Sequence, residues 1–352
     1  MKILITGGAG FIGSNTAKRF IDSGNDVIVF DNLSRKGSKS NLEWLKKSGN
    51  LSFIEGDLRN YELVKSIFSE NENIDIVIHL AGQVAVTTSV ENPREDFEIN
   101  ALGTLNVLEA IRENYNLEPL EKNNELLKDS PFLIFSSTNK VYGEMEDIEI
   151  IEKNNKYTYE KYPSGISENT LLDFHSPYGC SKGVADQYVI DYSRIYGIKS
   201  VVMRQSCIYG YRQFGIEDQG WIAWFTIASL LEKEITIYGD GKQVRDVLFV
   251  DDLVDCYVMA IENMEKVNGK AYNIGGGPDN TLSLLELINL LEKFTNKKIN
   301  PSYSNWRPGD QPVFVCNIER AYEEFGWKPK TSVEDGISKL QKWIYGNKDL
   351  FL

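Results

Sequence analysis

The stretch Ile3-Leu4-Ile5-Thr6 runs directly into Gly7-Gly8-Ala9-Gly10-Phe11-Ile12-Gly13, which places glycines at positions 7, 10 and 13. An apolar run followed by spaced glycines predicts a short buried strand, a tight turn and the start of a helix. Glycine lets the backbone approach a pyrophosphate, and the N-terminus of the following helix attracts the anion. The spacing therefore predicts a dinucleotide-binding turn, with cofactor contacts from Gly7, Gly10, Phe11, Ile12 and Gly13.

The residue after the second strand indicates which dinucleotide is bound. Residues 27–30 (Val-Ile-Val-Phe) read as that strand, and Asp31 follows them. An acidic side chain at this position accepts hydrogen bonds from the ribose hydroxyls of NAD and repels the 2′-phosphate of NADP. Arg35 and Lys36, a few residues on, argue slightly the other way. The pattern predicts NAD as the cofactor.

Strand-like and helix-like segments continue to alternate up to about residue 205. Further apolar runs cover residues 51–54, 74–80, 131–135 and 200–204. Such alternation predicts an α/β fold, a Rossmann-type doubly wound parallel sheet with helices on both faces. Ligands of these sheets bind at the carboxyl ends of the strands. Ser136-Ser137-Thr138 falls on that edge.

After residue 205 the alternation loosens, which predicts a smaller C-terminal substrate-binding lobe. We expect an NAD-binding domain of residues 1–205 plus 247–263, interleaved with a nucleotide-sugar-binding lobe of residues 206–246 plus 264–352. Residues 144–169 read as a charged loop over the site, where a lid could form. Residues 92–114 read as one long amphipathic helix.

Composition excludes several classes of partner. The 352 residues carry a formal net charge of −13, which argues against nucleic acid as a ligand. Two histidines and four widely spaced cysteines give no metal-binding pattern, so we expect no metal site and reduced thiols. No apolar run approaches the roughly 20 residues of a membrane span. We therefore expect a cytoplasmic protein that does not bind membranes.

Residues 174–182 (Phe-His-Ser-Pro-Tyr-Gly-Cys-Ser-Lys) suggest the chemistry. Ser176 followed by Pro177 predicts a helix start, which places Tyr178 and Lys182 on one helical face. A nearby ammonium favours the phenolate, so Lys182 is expected to lower the pKa of Tyr178. The same spacing occurs at Tyr61/Lys65, Tyr157/Lys161 and Tyr238/Lys242. Of the four pairs, only Tyr178/Lys182 both follows the Ser-Ser-Thr edge and opens a predicted helix.

Taken together, these motifs resemble the extended short-chain dehydrogenase/reductase family, the nucleotide-sugar epimerases and dehydratases, over essentially the whole chain. The matching pieces are the glycine turn, Ser136-Ser137-Thr138, Tyr178-Gly179-Cys180-Ser181-Lys182, Gln243-Val244-Arg245-Asp246 and Arg307-Pro308-Gly309-Asp310.

The resemblance implies a role for each matching residue. Tyr178 is the catalytic acid/base, Lys182 lowers its pKa and contacts the nicotinamide ribose, and Thr138 bonds the reacting sugar oxygen. Further cofactor contacts are implied for Asn32, Asp57, Leu58, Gly82 and Asn100. The substrate, a nucleotide-diphosphate sugar, is implied to contact Thr88, Thr138, Arg245, Arg307 and Asp310, with Arg212 a weaker candidate. Relatives dimerise through helices corresponding to residues 92–114 and 177–196, which implies a homodimer or homotetramer.

Within the family, three stretches most resemble enzymes that invert C2 of a CDP-linked 3,6-dideoxyhexose: residues 30–37, 81–89 and 137–143. A UDP-sugar 4-epimerase is the main alternative, because it needs the same tyrosine, threonine and NAD. A 4,6-dehydratase is disfavoured because such relatives have Asp-Glu where this chain has Asn139 and Lys140. A non-catalytic NAD-binding sensor would not need the Tyr178, Lys182 and Thr138 set.

Overall fold

The computed structural model describes residues 1–120, 130–307 and 310–351, so Pro308 and Gly309 of the Arg-Pro-Gly-Asp motif lie outside the described residues. The strands of the described chain are β1 (Lys2–Thr6), β2 (Asp26–Asp31), β3 (Leu51–Glu55), β4 (Ile76–His79), β5 (Phe132–Thr138), β6 (Ile150–Lys153), β7 (Lys156–Tyr159), β8 (Ser200–Gln205), β9 (Cys207–Tyr209), β10 (Thr236–Tyr238), β11 (Val244–Phe249), β12 (Lys270–Ile274), β13 (Thr281–Ser283), β14 (Ser302–Ser304) and β15 (Val313–Phe314).

The helices of the same residues are α1 (Phe11–Asp22), α2 (Ser38–Lys46), α3 (Tyr61–Glu70), α4 (Val86–Glu91), α5 (Pro93–Phe97), α6 (Gly103–Asn114), α7 (Ser176–Tyr196), α8 (Trp221–Leu230), α9 (Val250–Glu262), α10 (Met264–Val267), α11 (Leu284–Thr295), α12 (Glu319–Phe325) and α13 (Val333–Gly346). A π-helical turn spans Glu98–Leu102, and 3₁₀ turns span Asn139–Tyr142, Pro278–Asn280 and Lys348–Leu350.

A parallel sheet forms the centre of the molecule. Within the described residues it has seven strands in the order β12-β8-β5-β4-β1-β2-β3. Alternate residues of β1 pack on opposite faces: Ile3 and Ile5 join one core cluster, and Leu4 joins the other. Burial on both faces explains the nearly continuous apolar runs of these strands. The predicted Rossmann-type α/β fold is confirmed.

The chain order reverses between β1 and β4, and this switch point places the predicted site residues together. Connections from β1 run to β2 and β3 on one side, and those from β4 run to β5 and β8 on the other. Crevices at such a reversal bind ligands at the carboxyl ends of the strands. The glycine turn after β1, Gly82 after β4 and Thr138 at the end of β5 all lie on that edge.

A second, smaller lobe lies beyond this edge. Strand β11 pairs with β9, β13 and β15, and an apolar cluster joins this small sheet to α8, α11 and α13. The structure departs from the predicted boundary at one place, because β12 pairs in parallel with β8 in the central sheet. Residues 270–274 therefore belong with the first domain, although the sequence prediction placed them in the lobe.

Two local predictions also differ from the structure. Residues 144–169 contain the antiparallel hairpin β6–β7, whose Tyr157 N–H donates to the Lys242 carbonyl at 3.1 Å, so this segment is more than a loop. The long helix predicted over 92–114 is divided into α5, the π-helical turn and α6. Asn92 caps α5 by accepting the Glu95 N–H.

Candidate active site

The glycine turn forms a phosphate cradle at the end of β1. Gly7 has φ +67°, and a Cβ there would lie 2.7 Å from the Ala81 backbone nitrogen. A Cβ at Gly13 would lie 2.1 Å from the Gly7 carbonyl oxygen. In the described parts of the chain, the N–H groups of Phe11, Ile12 and Gly13 at the start of α1 meet no hydrogen-bond acceptor. Helix N-termini with such groups bind phosphate, so the turn fits the pyrophosphate of a dinucleotide.

Asp31 is fixed beside this turn at the end of β2. Its carboxylate accepts the Ala9 N–H at 3.0 Å and the Leu33 N–H at 2.8 Å. Burial raises the pKa of Asp31, and the backbone hydrogen bonds act in the opposite direction. The carboxylate thus stands next to the phosphate cradle, where the ribose of a dinucleotide would lie.

Three of the predicted cofactor contacts, Asn32, Asp57 and Leu58, follow β2 and β3. Asn32 Nδ2 donates to Asp57 Oδ2 at 3.1 Å, and Arg59 Nη2 donates to the same oxygen at 2.8 Å. The hydrogen bond from Arg59 is the main reason that the pKa of Asp57 falls to about 2. Leu58 is buried, and its carbonyl accepts Asn106 Nδ2 at 2.7 Å.

Gly82 and Asn100 meet at the switch point. A Cβ at Gly82 would lie 2.9 Å from Asn100 Oδ1 and 4.0 Å from Lys182 Nζ, so only glycine keeps this space open. Asn100 Oδ1 accepts the Gln83 N–H at 2.9 Å, and Asn100 Nδ2 donates to Ser181 Oγ at 3.0 Å. Asn100 therefore fixes the backbone at Gln83, next to Gly82.

Tyr178 and Thr138 form a hydroxyl pair at the same edge. The predicted helix start is confirmed, because α7 begins at Ser176 and Ser176 Oγ accepts the Gly179 N–H at 3.2 Å. This geometry turns the buried Tyr178 side chain towards Thr138, with which it forms a hydrogen bond. A phenol bonded to a second hydroxyl can pass a proton to and from a substrate alcohol.

The expected lowering of the Tyr178 pKa by Lys182 is wrong. Burial raises the pKa of Tyr178 to about 12, Asp96 acts in the same direction, and the hydrogen bond from Thr138 and the charge of Arg35 oppose it. The Lys182 ammonium donates to the Ser136 carbonyl at 2.5 Å and lies over the Phe135 ring. Burial in turn lowers the pKa of Lys182 to about 8.

A buried hydrogen-bond network around Asp96, which the sequence analysis did not predict, fixes the first turns of α7. Ser181 Oγ donates to Asp96 Oδ2 at 2.5 Å, and Gln83 Nε2 donates to Asp96 Oδ1 at 2.9 Å. Burial raises the pKa of Asp96. Because Ser181 and Tyr178 belong to the same turn of α7, Asp96 fixes the part of the helix that carries Tyr178.

The other three Tyr-x-x-x-Lys pairs lie away from Thr138. Lys65 binds Glu113 at 2.6 Å on the outer helices, Tyr157 donates to Asp240 at 2.5 Å, and Tyr238 donates to Glu217 at 3.0 Å. Each pair is occupied by surface or lobe contacts. Position along the fold, rather than spacing, separates Tyr178/Lys182 from them.

Charged residues of the lobe lie near Lys140, which follows Thr138 by two positions. Arg245 is buried and donates to Asp310 Oδ1 at 2.6 Å. Lys140 Nζ donates to Gln311 Oε1 at 3.3 Å, and Arg245 and Asp310 both act on the pKa of Lys140. The cationic side chains of this cluster suit a diphosphate, since a guanidinium fork binds phosphate oxygens well.

Not all predicted substrate residues join this cluster. Arg307 lies across the cleft, where it donates to the Glu217 carbonyl at 3.2 Å and stacks on Tyr238. Arg212 is held between Trp44 and Trp343, with its guanidinium 4.2 Å and 5.7 Å from the two ring centres. These aromatic contacts keep the Arg212 guanidinium apart from the cluster of Arg245 and Asp310.

Thr88 and Arg35 also differ from expectation. Thr88 is exposed on α4 and does not line the cavity that Val86 and Val90 of the same helix border. Arg35 donates to Gln219 and lies within electrostatic range of the Tyr178 hydroxyl. Its charge is therefore directed into the cleft, which weakens the argument that Arg35 favours NADP.

The described residues hold no metal-binding cluster and no membrane-spanning helix. Among the described side chains, no group of three or more His, Cys, Asp and Glu residues is arranged to hold a metal ion. None of the helices in residues 1–120, 130–307 and 310–351 is long and apolar enough to cross a membrane.

Similar proteins share both the sequence and this architecture. The model of the GDP-mannose 4,6 dehydratase family matches residues 4–340. The CDP-paratose 2-epimerase of Salmonella typhi is 48% identical over 349 residues, which cover 97% of this chain and 99% of that protein.

Two solved structures superpose over nearly the whole chain. The UDP-glucose 4-epimerase of Thermotoga maritima with UDP-glucose has a TM-score of 0.82 and 32% identity, and covers 99% of this chain and 100% of its own. The UDP-glucuronic acid 4-epimerase of Bacillus cereus, in complex with UDP-glucuronic acid and NAD, has a TM-score of 0.81 and 27% identity, with the same coverage. The chain belongs to the GDP-mannose 4,6 dehydratase family, whose members are extended short-chain dehydrogenases/reductases acting as NAD-dependent nucleotide-sugar epimerases and dehydratases.

Proposed function

We propose that this protein is an NAD-dependent epimerase that inverts C2 of a CDP-3,6-dideoxyhexose and converts CDP-paratose to CDP-tyvelose. The observation that carries the proposal is the near full-length similarity to the Salmonella typhi CDP-paratose 2-epimerase. The hydroxyl pair of Tyr178 and Thr138 supplies the chemistry such an enzyme needs. The residues after Thr138 are Asn139 and Lys140, which lack the carboxylic acids of a dehydratase.

The cofactor is NAD, and the residues at the strand edge fit it. The open N–H groups of α1 would hold the pyrophosphate, Asp31 the adenosine ribose, and Asp57 with Leu58 the adenine. When bound, NAD supplies a hydride acceptor and a positive charge that favours the phenolate of Tyr178. Gly82, Asn100 and Lys182 would support the nicotinamide end.

The structure of the sugar requires oxidation at C2 itself. Paratose has a methylene at C3, so a ketone at C4 would be too distant to acidify the C2 hydrogen. Enolisation from C4 therefore cannot invert C2. The C2 hydroxyl must lose its proton and C2 its hydride, and both must return after the flat 2-keto sugar has turned over.

The chain's own residues move the proton and hold the nucleotide. Tyr178 takes the C2 hydroxyl proton and returns it, with Thr138 bridging. Because burial raises the pKa of Tyr178 to about 12, the positive charge of bound NAD would be needed to favour the phenolate that takes this proton. Arg245, Arg307 and Asp310 would grip the diphosphate and ribose, which leaves the sugar free to turn.

An NMR assay tests the function directly. Purified protein is incubated with CDP-paratose, and the C2 proton signals of the products are followed against a Tyr178→Phe control. We expect CDP-tyvelose to accumulate to equilibrium with the wild type and to form at a small fraction of that rate with the variant. Turnover of UDP-glucose or UDP-glucuronic acid without turnover of CDP-paratose would assign the protein as a UDP-sugar 4-epimerase instead.

We also propose a homodimer or homotetramer in the cytoplasm. Phe97 and Leu102 before α6, and Tyr188 and Ile195 on α7, are exposed large apolar side chains on the helices that the family uses for pairing. All four cysteines are free thiols, which suits a reducing compartment. Sedimentation of the wild type against a variant with Phe97→Asp tests the assembly.

We further propose that the described lobe residues 206–246, together with β13–β15, form the nucleotide-sugar-binding part. Residues 1–205, 247–263 and 270–274 then form the NAD-binding part. Packing of α9 with α1 on the central sheet supports the return of residues 247–263 to that domain.

A further inference from the structure

Lys140 stands between the reacting hydroxyls and the diphosphate-binding cluster. It lies in the 3₁₀ turn Asn139–Tyr142, and its N–H donates at 3.2 Å to Thr138 Oγ1, the hydroxyl that also meets Tyr178. At its other end, Nζ donates to Gln311 Oε1 at 3.3 Å. The side chain thus extends from the catalytic threonine towards the residues next to Asp310.

Lys140 also lines a cavity next to α4 and the start of α7. This cavity has a volume of about 200 Å³ and is lined by Val86, Val90, Lys140, Gly143, Glu144, His175 and Ser176. Ser176 is the first residue of α7, two positions before Tyr178. The valines of α4 give the cavity an apolar wall, and its charged lining residues are Lys140 and Glu144.

The distance from the reacting carbon to the β-phosphate depends on which carbon is oxidised. The β-phosphorus is three bonds from C2, through C1 and the glycosidic oxygen, but five bonds from C4. When C2 lies at Tyr178, the β-phosphate must therefore lie close to Thr138. When C4 lies there, the pyranose ring separates the two.

We propose that Lys140 selects C2 for oxidation by binding the β-phosphate of the nucleotide sugar immediately beside Thr138. This inference rests on the proposed function, and it explains why the enzyme oxidises C2 of the sugar rather than C4. Lys140 is a positioning residue, because it acts on the phosphate and not on the reacting atoms. A dehydratase-type glutamate at this position would repel the phosphate, whereas an ammonium attracts it.

The charges around Lys140 support this role. Burial and the charge of Arg245 lower the pKa of Lys140 to about 8, while Asp310, Cys207 and Glu144 act in the opposite direction. A phosphate next to Lys140 and Arg245 relieves their mutual repulsion. Binding of the β-phosphate should therefore raise the pKa of Lys140. CDP should accordingly bind more tightly when Lys140 is protonated than when it is neutral.

Binding of CDP and CMP separates the β-phosphate from the rest of the nucleotide. In Lys140→Met, we expect CDP to bind roughly 10- to 100-fold more weakly, the range for a lost charge-assisted hydrogen bond, and CMP to bind as in the wild type. Lys140→Arg keeps the charge and should retain most of the CDP affinity. Lys153→Met, at an exposed position of β6, is the matched control and should change neither. Equal weakening of CDP and CMP in Lys140→Met would overturn the proposal.

Label transfer tests the choice of carbon. CDP-paratose deuterated at C2 or at C4 is mixed with excess holoenzyme, and deuterium reaching the reduced cofactor is measured by mass spectrometry. Wild type should take label from C2, and Lys140→Met should show a higher ratio of C4 to C2 transfer. An unchanged ratio with a uniformly lower rate would overturn the proposal. Absence of C2 transfer in the wild type would instead overturn the proposed function.

A measurement on the wild type alone covers the case in which Lys140→Met does not fold. Because burial lowers the pKa of Lys140 to about 8, its ammonium should lose its proton as pH rises from 8 to 9, and CDP affinity relative to CMP should fall roughly fivefold. Both nucleotides contain the nucleoside and the α-phosphate. The ratio of CDP affinity to CMP affinity therefore removes the effect of any protein group whose titration changes the binding of these shared parts. A CDP to CMP ratio that stays constant over this range would overturn the proposal.

Discussion

Replacement of Asp186 by Asn should destabilise the protein far more than any exchange of a surface carboxylate. The Asp186 side chain is fully buried, and that of its partner Arg204 is 5% exposed. Arg204 Nε and Nη2 each donate to one Asp186 oxygen at 3.0 Å, and Ser137 Oγ donates to Oδ2 at 2.7 Å. The pair therefore joins α7, which carries Tyr178, to β8, and the Ser137 hydrogen bond joins Asp186 to β5, which carries Thr138.

The magnitude follows from burial of the charge that remains. In Asp186→Asn the guanidinium of Arg204 stays buried but loses the carboxylate that pairs with it. The new amide also presents an N–H₂ group to side chains that donate hydrogen bonds at this position. Breaking a buried ion pair in this way costs about 3–5 kcal/mol. Because Arg204 also donates to the Tyr142 hydroxyl at 3.2 Å, the turn that carries Lys140 should loosen as well. The double variant Asp186→Leu/Arg204→Met removes both charges and should recover much of the lost stability.

Urea unfolding followed by circular dichroism measures the effect. Asp22→Asn is the control, because Asp22 pairs with Lys18 at the exposed end of α1 and such pairs contribute about 0–1 kcal/mol. We expect a large downward shift of the urea midpoint for Asp186→Asn and almost none for Asp22→Asn. Equal midpoints for the two variants would refute the argument that the buried pair and the Ser137 hydrogen bond hold α7 against β8 and β5.

Three other predictions concern the cofactor and the acid/base. Tyr178→Phe should reduce turnover by about 10²–10⁴-fold with the fold intact, and Tyr61→Phe should be almost silent, as steady-state assays can check. Asp31→Ala should weaken NAD binding by about 1–3 kcal/mol in calorimetry, because ribose hydroxyls and two backbone N–H groups lose their acceptor. Cofactor extracted from the purified wild type should be NAD, and a preparation that contained mainly NADP would contradict the role given to Asp31.

The central sheet could be predicted because its strands are buried on both faces. Each strand therefore appears as a short apolar run, and the polar residue after it marks the ligand edge. The strand β12 escaped prediction because Lys270–Ile274 follows the lobe in sequence, and only the pairing with β8 assigns it to the sheet. Position along the chain does not determine that pairing.

The electrostatics of the site depended on contacts between distant segments. Tyr178 and Lys182 are four positions apart, which suggests a direct effect on the phenol, but the Lys182 ammonium donates to the Ser136 carbonyl and burial dominates the Tyr178 pKa. Arg212 looked available for a phosphate until the structure placed it between two tryptophans. From the sequence, Lys140 indicates only that a carboxylic acid found in dehydratases is missing at this position. Its position two residues after Thr138 was the signal that could have identified it.

Retention of deuterium at C2 tests the central claim most directly. CDP-paratose carrying deuterium at C2 is converted in ordinary water, and the product is examined by proton NMR and mass spectrometry. If Tyr178 and Thr138 serve an oxidation at C2 in which the same hydrogen returns to the other face, CDP-tyvelose should keep the label in full and the solvent should gain none. Loss of the deuterium to water would contradict this account and indicate abstraction of the C2 hydrogen as a proton.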